Sequence, residues 1–336
     1  MKAFVVHRYG KDGLRAAEMP EPDIGPRDVL VRVSAASVNP LDKMVRNGEF
    51  KLLLKYRTPF VLGHDLSGVI SRVGSDVRGY KVGDAIYARP RDLRIGAFAE
   101  SIAIDQADIA LKPRSLTMAE AAAVPLVALA AWQALVDLAR VEPGQKVLIH
   151  AGAGGLGSTA IQVARHLGAY VATTASGKDV EKVKSLGADE VIDYTKASFA
   201  DLLSGYDVVL DSLGGENLDK SLTILKPGGL AVSVVGPPDA SFAAQLDRPL
   251  LKPLMALLSI RVRARARALG VRYAFFFMRA DGAQLKTLAA LYDAGTLVPV
   301  VDRTFPFDQT LDAIGYVEQG RAKGKVVVVM PAAGAP

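Results

Sequence analysis

The run Val147-Leu148-Ile149-His150-Ala151-Gly152-Ala153-Gly154-Gly155-Leu156-Gly157 carries the clearest chemical signal in this 336-residue chain. A short apolar strand leads straight into Gly152-x-Gly154-x-x-Gly157, and Ser158 to Ala164 continues with helical character. Glycines at that spacing let a turn be tight, let the backbone approach a pyrophosphate, and let the helix pack close on the strand. The helix N-terminus then offers unpaired N–H groups and a partial positive charge to phosphate. Alone, the pattern also fits an ordinary strand–turn–helix unit. With the strand before it and the helix after it, the expectation is a dinucleotide whose diphosphate is held by main-chain amides around Gly155.

An NAD site needs an acid about twenty residues further on, to hold the adenosine ribose hydroxyls. Here the second strand ends Thr173-Thr174-Ala175-Ser176-Gly177-Lys178, with no carboxylate at its tip. A 2′-phosphate would suit the Ser176 hydroxyl, the Gly177 backbone and the ammonium groups of Lys178 or Lys182. The expected cofactor is therefore NADPH rather than NADH, with Thr174 beside it at the strand end. The alternative is that these lysines only solvate a helix start. Asp179 and Glu181 fall a few residues late for the ribose.

The elements that must position these residues divide the chain in two. Its first third reads as short strands, Val29–Val33, Gly68–Val73 and Ala85–Ala88, punctuated by turns rich in Gly, Pro and Asp, which suggests a partly closed barrel. Met118 to Ala139 reads as one or two helices with Pro125 as an interior breaker. Strands at Lys146–His150, Tyr170–Thr174, Glu190–Ile192, Asp207–Leu210, Leu230–Val235 and Tyr273–Phe277 then alternate with helical stretches such as Val180–Leu186 and Asn217–Leu225. Such alternation specifies a parallel, doubly wound sheet of the α/β class. A helix at Ala283–Ala294, a strand at Val298–Arg303, a helix at Gln309–Gly320 and a strand at Lys325–Met330 complete the chain. These tail strands have no place in a six-strand nucleotide sheet and are assigned back to the first domain. The expected domains are 1–122 with 280–336, and 123–279; Ala332–Pro336 reads as a frayed end.

Composition narrows the chemistry. With no cysteine, disulfides, Cys-ligated zinc, iron–sulfur clusters and thiol nucleophiles are all excluded. No apolar run reaches the length of a membrane span, and Met1 to Val6 reads as a strand rather than a signal peptide. A cytoplasmic address with no membrane partner follows as an expectation. The formal charge of +6 is concentrated in Arg261-Val262-Arg263-Ala264-Arg265-Ala266-Arg267, read as a solvated helix face. No aromatic residue interleaves with these arginines, so nucleic acid is a disfavoured partner. Attraction of the anionic cofactor or an acidic partner stays open.

Several stretches together resemble the medium-chain dehydrogenase/reductase superfamily, in its zinc-independent quinone oxidoreductase and enone (alkenal) reductase branch. They include Ala36-Ser37-Val38-Asn39-Pro40-Leu41-Asp42, Gly63-His64-Asp65-Leu66-Ser67-Gly68, Gly96-Ala97-Phe98-Ala99-Glu100 and Ala121-Ala122-Ala123-Val124-Pro125. After the glycine motif come Leu186-Gly187-Ala188-Asp189, Asp211-Ser212-Leu213-Gly214-Gly215 and Gly324-Lys325-Val326-Val327. The resemblance implies a GroES-like, partly open β-barrel catalytic domain and a Rossmann domain, meeting at a cleft where the nicotinamide lies. It implies that Ala153, Gly155 and Leu156 cover the pyrophosphate, with Gly152 and Gly154 shaping the turn. Ser176, Tyr194 and Lys182 fall at the adenosine phosphate end, and Gly236 and Phe276 border the nicotinamide. A homodimer is also implied. Zinc-dependent relatives carry a cysteine where Asn39 stands and a four-cysteine lobe near position 95, so no metal is expected. His64 occupies the slot of a ligand histidine, but one imidazole without a thiolate is a poor zinc site. Relatives usually place Thr before the Ala-Trp pair, where this chain has Ala130-Ala131-Trp132.

The resemblance implies hydride transfer to a quinone or to the C=C bond of an α,β-unsaturated carbonyl, which builds negative charge on the acceptor's carbonyl oxygen. Without a metal, a preorganised donor must meet that oxygen. Asn39 is the first choice and Tyr56 the second, on a segment, Lys51 to Thr58, that reads as a mobile lip. Asp42 is expected to orient Asn39 or the nicotinamide ribose. The alternatives are a non-enzymatic NADPH-binding protein, sensor-like or RNA-binding and crystallin-like, and an alcohol dehydrogenase, which the missing cysteines disfavour.

Overall fold

The computed structural model describes residues 1–51, 53–246 and 248–331; the expected frayed end at Ala332–Pro336 lies outside the described residues. The chain forms two compact units, Met1–Leu129 with Arg279–Pro336, and Ala130–Met278. In chain order the first contributes β1 (Lys2–Val6), β2 (Leu14–Glu18), β3 (Asp28–Val38), β4 (Phe60–Val61), β5 (Asp65–Val73), β6 (Ala85–Ala88), β7 (Ser101–Asp105) and β8 (Ile109–Leu111). The second holds β9 (Lys146–Ile149), β10 (Tyr170–Ala175), β11 (Glu190–Asp193), β12 (Tyr206–Asp211), β13 (Leu225–Ser233) and β14 (Arg272–Phe275). The tail returns β15 (Val301–Pro306) and β16 (Lys325–Val329) to the first unit.

β3 is the axis of the first unit. One edge pairs along its length with β5; the other is shared, β7 taking Asp28–Arg32 and β16 taking Ala35–Val38. Register shifts at Leu30/Val31 and Val33/Ala35 bend the strand, as a bulge does, so one strand serves three partners. The sheet runs β15-β16-β3-β5-β6-β8, and a smaller antiparallel sheet runs β2-β1-β4. Tail strands pairing with β3 give the GroES-like arrangement expected above. β15 begins three residues later than the expected Val298: Pro299 has no N–H for a ladder, and the pairing with β16 starts at Val301.

The second unit is a six-stranded parallel sheet, β11-β10-β9-β12-β13-β14. Val147, Leu148 and Ile149 of β9 are wholly buried, as a central strand covered on both faces must be. The chain leaves β9 toward β10 on one side and later returns to β12 on the other, which makes a crevice at the carboxyl end of β9. Pro125 breaks the Met118 to Ala139 stretch as expected, one helix, Met118–Ala122, ending before the next begins. It opens the helix Pro125–Trp132, which runs on into a π-helical stretch, Gln133–Leu138. The first helical position tolerates proline because its N–H has no partner there anyway.

Candidate active site

In the second unit the glycine turn is dictated by packing. A Cβ on Gly152 would stand 2.2 Å from Thr173 Oγ1, and one on Gly157 would stand 2.2 Å from the Ala151 carbonyl oxygen. Both glycines are therefore required by the protein itself. A Cβ on Gly154 would meet only the Ala151 oxygen, at 3.2 Å. Little in the chain demands glycine there, so the demand fits a ligand approaching from outside. The Gly155–His166 helix starts immediately after, with Gly154 at its cap and no side chain bonded to its first N–H groups. A helix start of this kind can receive a phosphate group.

Thr174 is buried, and its hydroxyl serves the turn rather than a ligand. It accepts from the Ala151 N–H at 3.1 Å and lies 3.1 Å from His150 Nδ1. Ser221 Oγ donates to the Asn217 carbonyl at 2.7 Å, so toward His150 Nε2, 2.9 Å away, it can only accept. His150 thus carries its proton on Nε2 and accepts from Thr174 on Nδ1. Burial pushes its pKa down to about 4, against a weaker opposing pull from Asp211. A neutral imidazole is built into the strand that presents the glycine turn.

At the carboxyl end of β10 the parallel register sets Ala175 beside Asp193, and the Tyr194 N–H donates to the Ala175 carbonyl. Ser176, Gly177 and the exposed Tyr194 are thereby brought together. A carboxylate stands among them, because a Cβ on Gly177 would lie 2.6 Å from Asp193 Oδ2. The Ser176 hydroxyl donates to Asp179 Oδ2 at 2.5 Å. The tip of β10 is therefore not free of carboxylates. They arrive from the end of β11 and from the following turn, and only the cross-strand register reveals the first. Lys178 is exposed beside them. Gly236 is fixed by crowding: a Cβ there would meet Tyr273 Oη at 2.6 Å and Ser233 Oγ at 2.8 Å. Ser233 Oγ accepts from the Gly236 N–H and donates to the buried Asp211, whose other oxygen accepts from the N–H groups of Leu213 and Gly214. Phe276 is buried, its N–H donating to the Ser233 carbonyl. The Asp211–Ser233 pair, which sequence reasoning gave no role, therefore shapes both loops at the ends of β12 and β13.

In the first unit Asn39 sits at the start of the Pro40–Asn47 helix, buried, between two carboxylates. Its backbone N–H donates to Asp42 Oδ2 at 2.7 Å and its Nδ2 to Asp65 Oδ2 at 2.9 Å. Its carbonyl oxygen accepts from the Lys325 ammonium, which also lies 3.2 Å from Asp65 Oδ2. The Asn39 amide is thus committed on both arms, and the geometry makes it a positioning group rather than the free donor its residue type suggests. Asp42 holds Asn39 in place through the backbone and contacts His64 Nδ1 at 2.6 Å.

Tyr56 is also placed differently from the expected mobile lip. It is buried, stacks on Phe60 at 4.9 Å, and accepts through its main-chain oxygen from the Tyr9 hydroxyl. Its own hydroxyl accepts from the Leu93 N–H at 3.2 Å, and its hydrogen has no acceptor among the described residues. Burial, reinforced by Asp92, pushes its pKa well above the usual phenol value. Arg89 and Asp92, charges that act on Tyr56, line a cavity of about 560 Å³ in this unit.

Among the described residues no group of three or more His, Asp or Glu side chains is placed to hold a metal ion. His64 leaves a buried Nε2 without a partner, but one nitrogen is not a zinc site, and Asn39 already faces an ammonium. The residues present do not fit zinc.

With this geometry in hand, comparison places the chain among dehydrogenases. An alcohol dehydrogenase GroES-like domain model matches residues 25–114 and a zinc-binding dehydrogenase model matches residues 186–328. The mitochondrial NAD(P)H oxidoreductase RTN4IP1 of Mus musculus is 36% identical, over 98% of this chain and 89% of its own length. The chloroplastic NADPH-dependent alkenal/one oxidoreductase of Arabidopsis thaliana is 36% identical, over 98% and 79%. The quinone oxidoreductase of Coxiella burnetii superposes with a TM-score of 0.86 at 30% identity, covering 98% of this chain and 99% of that one. The chain belongs to the medium-chain dehydrogenase/reductase superfamily, in its quinone and enone oxidoreductase branch.

Two outcomes follow from the buried groups. His150 is neutral when folded and titrates near 6.5 when unfolded, so the unfolded chain binds more protons between those values. Its contribution is full above pH 6.5 and is lost as pH falls toward 4. Wild type should lose about 2 kcal/mol more than His150→Gln between pH 7 and pH 5, read from urea midpoints. Lys325→Met leaves Asp65 buried without its counter-charge and should cost about 3–5 kcal/mol in the same measurement.

Proposed function

We propose that this protein is an NADPH-dependent reductase of quinones and of the C=C bond of α,β-unsaturated carbonyls. The observation that carries the cofactor is the Gly154 cradle, which the chain's own packing barely requires to be glycine. The exposed Lys178 near Ser176 supports the phosphorylated cofactor, since an ammonium complements a 2′-phosphate. The acceptor class is supported by the alkenal/one and quinone oxidoreductases to which the chain is similar. When bound, the reduced nicotinamide supplies the hydride.

What the chain adds is positioning and charge. Tyr56 is our choice for the donor to the acceptor's carbonyl oxygen. Its hydroxyl is held by the Leu93 N–H, stays protonated because of burial, and has its hydrogen unassigned. A preorganised donor of this kind is worth about 3–4 kcal/mol. Asn39, Asp42, Asp65 and Lys325 fix the backbone of the same unit. A cytoplasmic homodimer completes the reading; β14 ends the parallel sheet and leaves an edge on which a second copy can pair.

Purified protein should oxidise NADPH, followed by loss of absorbance, with 1,4-naphthoquinone or short enones as acceptors. Inactivity with both acceptor classes while the cofactor is bound would refute the assignment. Tyr56→Phe should lower kcat by roughly two to three orders of magnitude and leave the NADPH Kd unchanged. Lys178→Ala should weaken NADPH about tenfold and leave NADH untouched, measured by fluorescence titration of both nucleotides.

A further inference from the structure

The chemistry proposed above does not use the arginine run, and the structure gives that run a neighbour. Two short helices, Lys252–Leu258 and Ile260–Ala268, lie between β13 and β14 in the chain. Met255, Val262 and Ala266 are buried, the last two in a core cluster with Leu222, Ile224 and Val271. One side of the pair is thus anchored to the parallel-sheet unit. Large apolar side chains face outward from the preceding turn and the start of the pair: Leu250, Leu254, Leu257, Leu258 and Ile260 are between 52% and 92% exposed. Contiguous large side chains exposed to this degree mark a contact surface.

The arginines follow at once. Arg261, Arg265 and Arg267 are exposed and Arg263 is half-buried. Arg265 reaches Asp219 only at 3.9 Å, and among the described residues Arg261 and Arg263 have no carboxylate partner. Charge decides between occupants. In a two-fold contact with a second copy the patch would meet itself, arginine against arginine. An RNA strand would find no aromatic platform. Leucines beside unpaired guanidinium groups are the composition that seats a helix at the boundary between anionic headgroups and acyl chains.

We propose that these two helices dock this protein on the surface of an anionic bilayer. Leu250, Leu254, Leu257, Leu258 and Ile260 enter the acyl boundary, and the arginines meet lipid phosphates. Such peripheral contact is independent of any membrane-crossing helix, of which the described residues contain none. The expectation of no membrane partner rested on the lack of a span and did not weigh this surface.

The test is flotation of the full chain with vesicles of phosphatidylcholine, alone or mixed with phosphatidylserine. Wild type should float with the phosphatidylserine vesicles, less so at high salt, and not with phosphatidylcholine alone. Arg261→Gln with Arg263→Gln should weaken binding roughly fivefold for each arginine. Leu254→Ser with Leu257→Ser should weaken it about tenfold or more, and both pairs should keep the wild-type melting temperature. The proposal is overturned if wild type ignores phosphatidylserine, floats equally with neutral vesicles, or is unaffected by both variant pairs. It is also overturned if wild type binds RNA in preference to vesicles, or if the leucine pair instead breaks a dimer in sedimentation. None of these results depends on whether the protein reduces quinones or enones.

Discussion

One buried carboxylate organises the unit that carries the polar cluster. Asp65 accepts from the Ser37 hydroxyl, the Asn39 amide, the Lys325 ammonium and the Leu126 N–H. A carboxylate so far from water is tolerable only when its lone pairs are filled and its charge is opposed. Meeting that condition draws the end of β3, the start of β5, the first residue of β16 and the opening of the Pro125–Trp132 helix to a single point. Asn39 is held as a consequence, and Asp42 and His64 are set through Asn39's backbone. The shape of the first unit around its helix start follows from satisfying one charge.

The second unit solves a similar problem without an ion pair. Its buried His150 stays uncharged because burial disfavours the imidazolium, and the Ser221 hydroxyl, committed to the Asn217 carbonyl, sets the ring proton on Nε2. Asp211 is satisfied by three donors, two main-chain N–H groups and the Ser233 hydroxyl. These groups lie at the carboxyl ends of central strands, where the loops must stay rigid for a ligand to meet the same amides each time. Fixed dipoles serve that purpose, and they leave the crevice free of a full positive charge on the imidazole.

Much of this was legible in the residues themselves. The glycine turn, the alternation of strands and helices, and the return of the tail to the first unit all rest on local pattern, and local pattern is what sequence displays. The partners of Asn39 were not legible, because they lie 26 and 286 residues away and only the sheet pairing brings them near. Asp193 was missed for a related reason: it reaches Gly177 across a strand register, not along the chain. The anchoring of Tyr56, expected on a mobile lip, was not legible either, since it is buried and stacked on Phe60, a contact that no spacing encodes. Leu250 to Ile260 has the composition of a core helix, and only its exposure sets it apart.

The interrupted path of the first unit has a consequence for its biogenesis. β3 cannot fill the Ala35–Val38 part of its second edge until β16 has emerged from the ribosome, after all six parallel strands, which come from one uninterrupted stretch. Domains generally condense as units while synthesis proceeds. The parallel-sheet unit is therefore complete first, and the first unit waits with the Ala35–Val38 end of its longest strand unpaired on one edge.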